Sequence, residues 1–382
     1  MNFLFYDDSP VFGGHEVMTL LGVEALLQES SPSVIRFLAT HANTVLQEKL
    51  ANLKSRYPAL EIEVIPEVSS KLEALKNRLS SGRVDGLAAR LKAHHPDLVI
   101  AVQGNIEHSS LALLAAKKAG LRSASYIPVP HSNTEMGAKG GAIRDLFTGY
   151  LFRTPDVFVT ITDEMGAMLR ARGATCPIKV VYNGVDTSRF IPADRAAARI
   201  ALGLPLEPAI FGMVGRLELK QKQQHLLVEA VAADPELRKS CHLVFAGDGP
   251  DSEALGAMIE ANGLTSQVTR LPWCDPAGLY PALDALIIPS RYEGLPLVML
   301  ETLATGTAVL GSDRDGMRDV LPAEWRFRPN DVSSLAATLR AYLASGRAAP
   351  EPELVERVRT TMSLPAFSEA FRSTLVAIAS PA

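Results

Sequence analysis

The feature that most constrains the fold of this 382-residue chain is a repeated alternation of short apolar segments with amphipathic ones. Buried strands of a parallel sheet are short apolar, β-branched runs, and the helices that cover the sheet lie between them. The first series is NFLFYDD, SVIRFLAT, EIEVI, DLVIAV, RSASYI and DVFVTI, and the second is AIFGMV, HLVFAG, QVTRL, DALIIPS and TAVLGS. Two such series predict an α/β protein with two Rossmann-like domains.

The junction between the two series lies in VVYNGVDTSRFIPADRAAARIALGLPLEP, which contains an Asn-Gly turn and several prolines. Turn residues and prolines between periodic segments are typical of a domain boundary. We therefore predict one domain over residues 1–188 and a second over residues 189–365. Residues 366–382 have the pattern of an amphipathic helix, which could pack on either domain.

Composition and charge exclude several classes of protein. A net charge of −4 gives no reason to expect a nucleic-acid partner. The three cysteines form no C-x-x-C pair, which argues against a zinc site and against a disulfide framework. The N-terminus lacks the pattern of a signal peptide, and no apolar run approaches the roughly 20 residues of a membrane span. We therefore expect a cytoplasmic protein.

The segment SRYEGLPLVMLETLATGTAV, residues 290–309, leaves a buried strand as a loop and continues as a helix. Pro296 fits the first helical position and Gly306 the end, and such a helix start suits a phosphate group. Glu301 would lie about 7.5 Å along the helix from Pro296, whereas Glu293 precedes the helix. The two acids could therefore bind different ends of one long ligand, such as a nucleotide sugar. The alternative is two solvated surface acids.

Basic residues follow another predicted strand, in MVGRLELKQKQQHLLVEA, residues 213–230. Gly215 leaves room for a ligand, and Arg216 together with Lys220 or Lys222 suits a diphosphate that gains charge as it departs. Basic residues before a helix are commonly just solvated. The functional interpretation of this motif is favoured because it predicts the same kind of ligand as residues 290–309.

Candidate residues in the first domain also follow strands. Gly13 and Gly14 permit close backbone approach to a ligand, but their spacing is not that of the dinucleotide fingerprint, which disfavours hydride chemistry. His131 follows the strand in SYIPVPHSNTEMG and suits a packed residue about as well as a site residue. Candidate acceptor-binding residues are His15, Glu16, Asn105, Glu107 and His108.

Taken in order, these motifs resemble those of the retaining glycosyltransferases of the GT-B fold, family 4. The resembling segments are GGHE, His131, YNGVD, GRL with a following lysine, AGDGP and ALDALIIPSRYEGLPLVMLETLATGTAVLGSD. The resemblance implies two Rossmann-like domains whose parallel sheets face each other across a cleft. It further implies that the first domain binds the acceptor, that the second binds the nucleotide-sugar donor, and that residues 366–382 pack on the first.

The resemblance also implies roles for single residues. Arg216 and a lysine would hold the donor diphosphate, Glu301 the ribose hydroxyls, and Glu293 the region of the donor sugar. Lys222 matches the family pattern better than Lys220, although the glycine that usually follows this lysine is absent. Further donor contacts would come from Gly13, Gly14, Gly215 and His131, and from the backbone around Gly294, Leu295, Leu297 and Val298. His131, Arg216, Lys222 and Glu293 form the implied catalytic set, and no metal or other cofactor is implied.

The implied reaction transfers a sugar from a nucleoside diphosphate, most commonly UDP, to an acceptor hydroxyl with retention of configuration. The acceptor class is open among carbohydrates, lipid-linked molecules and small molecules. One alternative is another enzyme of this fold, a sugar phosphorylase or a nucleotide-sugar epimerase, and a second is a non-catalytic carbohydrate-binding module. A hydrolase pair is disfavoured because eight mostly helical residues separate Glu293 and Glu301 by about 12 Å.

Residues 71–92 raise the question of membrane contact. This segment has six basic and two acidic residues, with leucines at near-helical spacing. Such a pattern permits weak peripheral binding to an anionic membrane. We favour a surface helix pair whose leucines enter the core, because the segment has no aromatic anchor.

Overall fold

The computed structural model describes residues 1–28 and 34–380, and it divides into two compact units. The first unit comprises Met1–Asn183 and Pro365–Ala382, and the second comprises Gly184–Leu364. The N–H of Val185 donates to Met362 O, and the N–H of Leu364 donates to Val185 O, both at 2.9 Å. The segments that enter and leave the second unit are therefore hydrogen-bonded to each other.

A seven-stranded parallel sheet forms the centre of the first unit. Its strands are β1 (Asn2–Asp7), β2 (Val34–Thr40), β3 (Leu60–Ile65), β4 (Leu98–Val102), β5 (Ser123–Tyr126), β6 (Val157–Thr160) and β7 (Ile178–Val180). Its helices are α1 (Gly14–Leu27), α2 (Thr44–Arg56), α3 (Glu73–Leu79), α4 (Ser81–Ala93), α5 (Ser110–Ala119), α6 (Gly141–Thr148) and α7 (Asp163–Ala171). The apolar runs form the strands because both faces of a helix-covered sheet are buried.

The second unit contains a six-stranded parallel sheet. Its strands are β8 (Ala209–Val214), β9 (Cys241–Ala246), β10 (Val268–Leu271), β11 (Ala285–Ile288), β12 (Ala308–Ser312) and β13 (Arg326–Phe327). Its helices are α8 (Arg195–Ala201), α9 (Leu219–Lys222), α10 (Gln224–Ala233), α11 (Pro235–Ser240), α12 (Ser252–Ala261), α13 (Pro276–Leu279), α14 (Leu297–Ala304), α15 (Gly316–Val320), α16 (Val332–Ala344) and α17 (Pro352–Thr361). Two parallel-sheet domains were the sequence-based prediction, and that prediction is confirmed.

The last helix, α18 (Leu364–Ala379), packs within the first unit. The ring of Phe371 lies edge-on to Tyr126 at a centroid distance of 5.7 Å. A side chain on Gly22 would meet Phe371 Cε1 at 2.4 Å, so α1 and α18 are in close contact at this glycine. Arg122 Nη1 also donates to Ser380 O at 3.0 Å. These contacts attach the C-terminal segment to the same unit as β1.

The strand order of each sheet contains one reversal point. The orders are β3-β2-β1-β4-β5-β6-β7 in the first sheet and β10-β9-β8-β11-β12-β13 in the second. The connections diverge between β1 and β4 and again between β8 and β11. Open α/β sheets bind ligands beyond the carboxyl ends of the strands at such a point. Each unit therefore has one preferred location for a site.

The segment considered for membrane contact forms α3 and α4, and the leucines of α4 are internal. Leu87 and Leu91 are buried with Leu111 in one apolar cluster. Leu79, at the end of α3, is instead exposed. Among residues 1–28 and 34–380, no helix combines the length and the apolarity needed to cross a bilayer.

Candidate functional site

The reversal point of the second sheet brings together residues from the loops after β8 and β11. One small pocket is lined by Gly215, Arg216, Lys222, Ser290, Glu293 and Val298, among others. The sequence placed these residues in two motifs about 70 positions apart. A larger cavity of about 690 Å³, lined by Trp325, Tyr342 and Leu354, contains none of the predicted site residues among those described.

A direct ion pair joins the two motifs of this site. Lys222 Nζ donates to Glu293 Oε1 at 2.6 Å, and the Glu293 side chain is nearly buried. Lys220 lies on the same short helix but is exposed. The backbone N–H of Glu293 donates to Asp315 Oδ2 at 2.9 Å, which fixes the loop before α14. The structure therefore brings Lys222 rather than Lys220 to the acidic motif.

The loop after β8 exposes the backbone of Gly215 and the cationic side chain of Arg216. Gly215 has φ of +128°, and a side chain there would meet no atom within 4 Å, so the space above this backbone is open. Arg216 follows with 60% of its side chain exposed and only a 3.7 Å contact to Glu218. Gln224 Nε2 donates to Arg216 O at 3.0 Å, which holds the backbone. The arginine backbone is therefore fixed, while its guanidinium can reach a ligand.

Helix α14 begins one residue later than the sequence indicated. Pro296 is its N-cap, in extended conformation, and Leu297 is the first helical residue. The reason is the loop before it, where Gly294 O accepts the N–H of Gly316 at 3.0 Å and holds the chain extended. Gly306, at φ +75°, follows the helix end as predicted. The first N–H groups of α14 are those of Leu297 and Val298, and N–H groups at the start of a helix suit an anion.

Glu301 lies on α14 and is held by a residue that sequence reasoning missed. Tyr280 Oη donates to Glu301 Oε2 at 2.7 Å. Burial raises the pKa of Glu301, whereas the tyrosine bond and the charge of Arg189 lower it. No local pattern in the sequence marks Tyr280, because it is 21 positions from its partner. The contact positions one carboxylate oxygen and leaves the other for a ligand.

The carboxyl end of β10 carries a second residue that the sequence analysis did not single out. Trp273 is 73% exposed and lies two residues after the end of β10. Two residues later Asp275 pairs with Arg189 at 2.7 Å, and Arg189 acts electrostatically on Glu301. Trp273 is thus on the loop next to Glu301. The sequence signal that could have identified Trp273 is an aromatic residue two positions after a predicted strand, in RLPWCDP.

The reversal point of the first sheet holds the other predicted cluster. Gly13 is the N-cap of α1, and its N–H donates to Glu16 Oε2 at 2.7 Å. The same oxygen lies 3.0 Å from His15 Nδ1. Glu16 is fully buried, and its contacts to the Gly13 N–H and to His15 Nδ1 orient the glycine loop and the imidazole. When His15 is neutral, its Nδ1–H donates to the Glu16 carboxylate, so Nε2 carries no proton and can accept a hydrogen bond.

Residues after β4 pack directly against His15. A side chain on Gly104 would meet His15 Cε1 at 2.7 Å and His108 Nδ1 at 3.3 Å. Asn105 Oδ1 accepts the N–H groups of Glu107 (2.9 Å) and His108 (3.2 Å), so its Nδ2 must donate to His108 Nε2 at 2.9 Å. His108 therefore carries its proton on Nδ1, and burial, with a smaller effect of His15, lowers its pKa to about 3.

Glu107 and His131 are more deeply placed than the sequence suggested. Glu107 is buried, with Oε2 bonded to Arg144 Nε at 3.0 Å and Oε1 to the N–H of Ala74 at 3.2 Å. Both carboxylate oxygens of Glu107 are therefore bonded within the first unit, and the residue holds the loop after β4 in place. His131, in the segment after β5, is also fully buried.

Two carboxyl groups at the end of β1 were visible in the sequence but were interpreted only as strand residues. Asp7 and Asp8 are both fully buried. Burial, and then the charge of Glu16, raises the pKa of Asp7, while burial raises that of Asp8 to about 7. Asp7, His15 and Glu16 each place a ligand-type atom within 4.8 Å of the others, an arrangement that could hold a metal ion. The hydrogen bonds of Glu16 to Gly13 and His15 account for part of this cluster without a metal.

Comparison with known proteins matches each unit to a glycosyltransferase family model. The model of Glycosyltransferase Family 4 matches residues 40–189, and that of Glycosyl transferases group 1 matches residues 194–359. The structure of Anabaena Alr3699/HepE in complex with UDP superimposes with a TM-score of 0.78 at 18% identity, covering 99% of this chain and all of that one. The chain belongs to the GT-B glycosyltransferases of family 4.

Two further known proteins show how far the similarity extends. The lipopolysaccharide outer core galactosyltransferase WaaB, in its apo form, has a TM-score of 0.73 at 20% identity and covers 99% of both chains. A protein named D-inositol 3-phosphate glycosyltransferase from Mycobacterium sp. (strain KMS) is 32% identical over 200 residues, 48% of this chain and 43% of that protein. The matched region is thus less than half the length of that relative. The predicted family and its GT-B fold are confirmed.

Proposed function

We propose that this family 4 member transfers a sugar from a nucleoside diphosphate, most simply UDP, to an acceptor hydroxyl with retention. The observation that carries this proposal is the Lys222–Glu293 pair beside Arg216 at the reversal point of the second sheet. The UDP complex of Anabaena HepE and the glycosyltransferase names of the mycobacterial relatives support it. The acceptor class in the proposal is a carbohydrate, a lipid-linked molecule or a small molecule.

The donor diphosphate would lie over Gly215 and against the start of α14. The open space above Gly215 admits the phosphate, and the N–H groups of Leu297 and Val298 donate to it. Lys222 has three donors and uses one for Glu293, so it can bind phosphate at the same time. Arg216 supplies a second cation. With two cations and a helix start available, the proposal requires no metal ion.

The chemical step breaks the bond between the anomeric carbon and the phosphate oxygen of the leaving nucleoside diphosphate. The acceptor oxygen forms the new bond on the same face, and its proton passes to the departing phosphate oxygen. Negative charge grows on that phosphate in the transition state, where Arg216 and Lys222 stabilise it. Glu293, held by Lys222 and by Asp315, is positioned to accept hydrogen bonds from the hydroxyls of the donor sugar.

The nucleoside would extend from the diphosphate towards β10. Glu301, oriented by Tyr280, accepts hydrogen bonds from the ribose hydroxyls. Trp273 on the neighbouring loop offers an exposed ring on which the base can stack. This assignment gives a role to an aromatic residue whose exposure is otherwise unfavourable.

The first unit would bind the acceptor. His15 and His108 are the proposed contacts at the reversal point of its sheet, with Asn105, Glu16 and Glu107 holding them in place. The assignment of Gly13, Gly14 and His131 to the donor rests on the family resemblance and stays a prediction.

Calorimetric titration with UDP, GDP and ADP in the absence of magnesium tests the donor site. We expect micromolar binding of UDP that is weakened in Arg216→Ala and Glu301→Ala but kept in Lys239→Ala, a matched control at an exposed lysine. A folded protein that binds none of the three nucleotides would overturn the donor-site assignment and favour a binding module.

Labelled UDP-sugar incubated without acceptor separates a transferase from a nucleotide-sugar epimerase. A transferase leaves the sugar stereochemistry of the donor unchanged, whereas an epimerase changes it. With an acceptor found by screening, NMR of the anomeric proton reports the configuration of the product. An inverted product would contradict the retaining mechanism.

A further inference from the structure

An ion pair outside the proposed donor contacts lies next to the nucleoside end of the donor site. Arg189 Nη2 donates to Asp275 Oδ1 at 2.7 Å, and the two residues are 86 positions apart in the chain. Arg189 belongs to the first segment of the second unit, whereas Asp275 lies two residues after Trp273 in the loop after β10. The pair therefore joins the start of the second unit to the loop that carries the proposed base-stacking ring.

The Arg189 guanidinium acts on Glu301 at a distance. In the described part of the chain the guanidinium is paired with Asp275 and not with Glu301. Burial raises the pKa of Glu301, whereas its bond to Tyr280 and the charge of Arg189 lower it. A cation near a carboxyl group favours the ionised form, which is the form that accepts hydrogen bonds from the ribose hydroxyls. The charge of Arg189 thus favours the proposed ribose contact.

The backbone beside Arg189 is fixed close to the residues that hold Glu301. The ring of Phe190 packs on that of Tyr280 at a centroid distance of 5.9 Å. Arg359 Nη1 donates to Phe190 O at 3.1 Å and to Ala304 O, at the end of α14, at 3.0 Å. The chain at Arg189 is therefore attached both to Tyr280 and to α14. Only the long side chain of Arg189, which is 53% exposed, is left to change its partner.

A direct pair between Arg189 and Glu301 would close the ribose site. Tyr280 already occupies Oε2 of Glu301, so the ribose hydroxyls need the other carboxylate oxygen. The planar guanidinium matches carboxylate geometry and would take up that oxygen. Glu301 is also less exposed than Asp275, so a pair with it would be less screened by water. The two carboxylates therefore compete for one guanidinium.

We propose that Asp275 is a positioning residue that keeps Arg189 from pairing with Glu301, so that the Glu301 carboxylate stays open to the ribose of the donor. Arg189 contributes its positive charge at a distance, and Asp275 prevents the direct contact that would exclude the nucleoside. This inference rests on the proposed donor site and adds to it one residue that holds a cation away from the ligand.

Calorimetric titration of the Asp275→Asn variant with UDP tests the proposal. The substitution removes the charge but keeps the side-chain oxygen that caps α13, where Asp275 Oδ1 accepts the N–H of Ala277 at 3.0 Å. Arg189 should then pair with Glu301 in part of the molecules. UDP affinity should fall about twofold to fivefold, the range set by the strength of one exposed ion pair, because only the open fraction binds. In an Arg189→Ala background the same substitution should have no effect.

A UDP analogue without the two ribose hydroxyls separates competition for Glu301 from distortion of the loop after β10. We expect Asp275→Asn and the unchanged protein to bind this analogue equally, because it does not use Glu301. Asp234→Asn is the matched control, since Asp234 also caps a helix, α11, and pairs with an arginine, Arg340. Helix α11 leads into the amino end of β9, at the opposite edge of the sheet from the donor site, so UDP affinity should not change.

Three results would overturn the proposal: unchanged UDP affinity in Asp275→Asn, equal losses for UDP and the analogue, or the same loss in the Arg189→Ala background. UDP binding by the unchanged protein that weakens in Glu301→Ala supports the donor site independently of Asp275. Each of the three results would then remove the role of Asp275 and leave the proposed function in place. A folded protein that binds no UDP would instead overturn both.

Discussion

The Lys222 ammonium donates to the Glu293 carboxylate at 2.6 Å and joins two motifs 71 positions apart in the chain. Glu293 is nearly buried, and Lys222 is about one third exposed. A buried carboxylate needs such a partner, because an unpaired charge removed from water is costly. The pair therefore both stabilises the loop before α14 and keeps a cation at the proposed diphosphate position.

Replacement of Lys222 by alanine should reduce kcat by about 100-fold to 1000-fold, the range for loss of one preorganised electrostatic contact to the transition state. UDP affinity should also fall, because one of the two phosphate-binding cations is removed. Steady-state kinetics and UDP titration measure the two effects. Lys220→Ala is the matched control, with little effect expected. A larger loss in Lys220→Ala than in Lys222→Ala would reverse the lysine assignment.

Replacement of Trp273 by alanine should weaken UDP binding by about 5-fold to 100-fold, the usual value of one base stacked on an aromatic ring. Trp273→Phe should restore much of the affinity. Calorimetry with UDP makes the comparison, and Ile200→Ala controls for loss of an exposed apolar side chain. If Trp273→Ala binds UDP normally, the base lies elsewhere.

Replacement of Gly104 by alanine tests the acceptor assignment. The new Cβ would lie 2.7 Å from His15 Cε1, so the imidazole must move. Transfer should fall by about 100-fold, the cost of a misplacement near 1 Å, while UDP affinity should fall much less, because the proposed UDP contacts of Arg216, Lys222 and Glu301 are in the second unit. Gly82→Ala is the control, since no atom lies within 4 Å of its Cβ position. Unchanged transfer in Gly104→Ala would remove His15 from the acceptor site.

The pH dependence of stability should reveal the buried carboxyl group of Asp8. Burial raises its pKa in the folded state to about 7, above the unfolded value near 3.9. Its stabilising contribution is therefore complete below about pH 4 and is lost as the pH rises towards 7. Relative to Asp8→Asn, the protein should lose about 1.4 kcal/mol per pH unit within that range.

Urea unfolding at several pH values measures the difference in the free energy of unfolding between the two proteins. Asp85→Asn, a substitution at an exposed aspartate, is the control. A stability difference between the protein and Asp8→Asn that does not change with pH would show that Asp8 titrates normally.

The sequence by itself determined the fold class and most of the strands. Eleven of the thirteen strands in the described residues correspond to the quoted apolar runs. Nine of these eleven lie inside the sheets, where a strand covered on both faces is largely apolar, whereas β3 and β10 are edge strands that also contain polar residues. The two missed strands, β7 and β13, lie at sheet edges and have only three and two residues. Short edge strands bury little side-chain area, so their sequences show only a weak apolar pattern.

Only the tertiary structure decided which residues of each motif meet. Two lysines two positions apart were equally basic, but the left-handed Gln223 after the short helix α9 and the packing of that loop bring Lys222 to Glu293. Tyr280 reaches Glu301 in the same way, from a distant segment. Local patterns record burial and periodicity, whereas contacts between side chains far apart in sequence depend on strand order. That order brings the loops after β8 and β11 together.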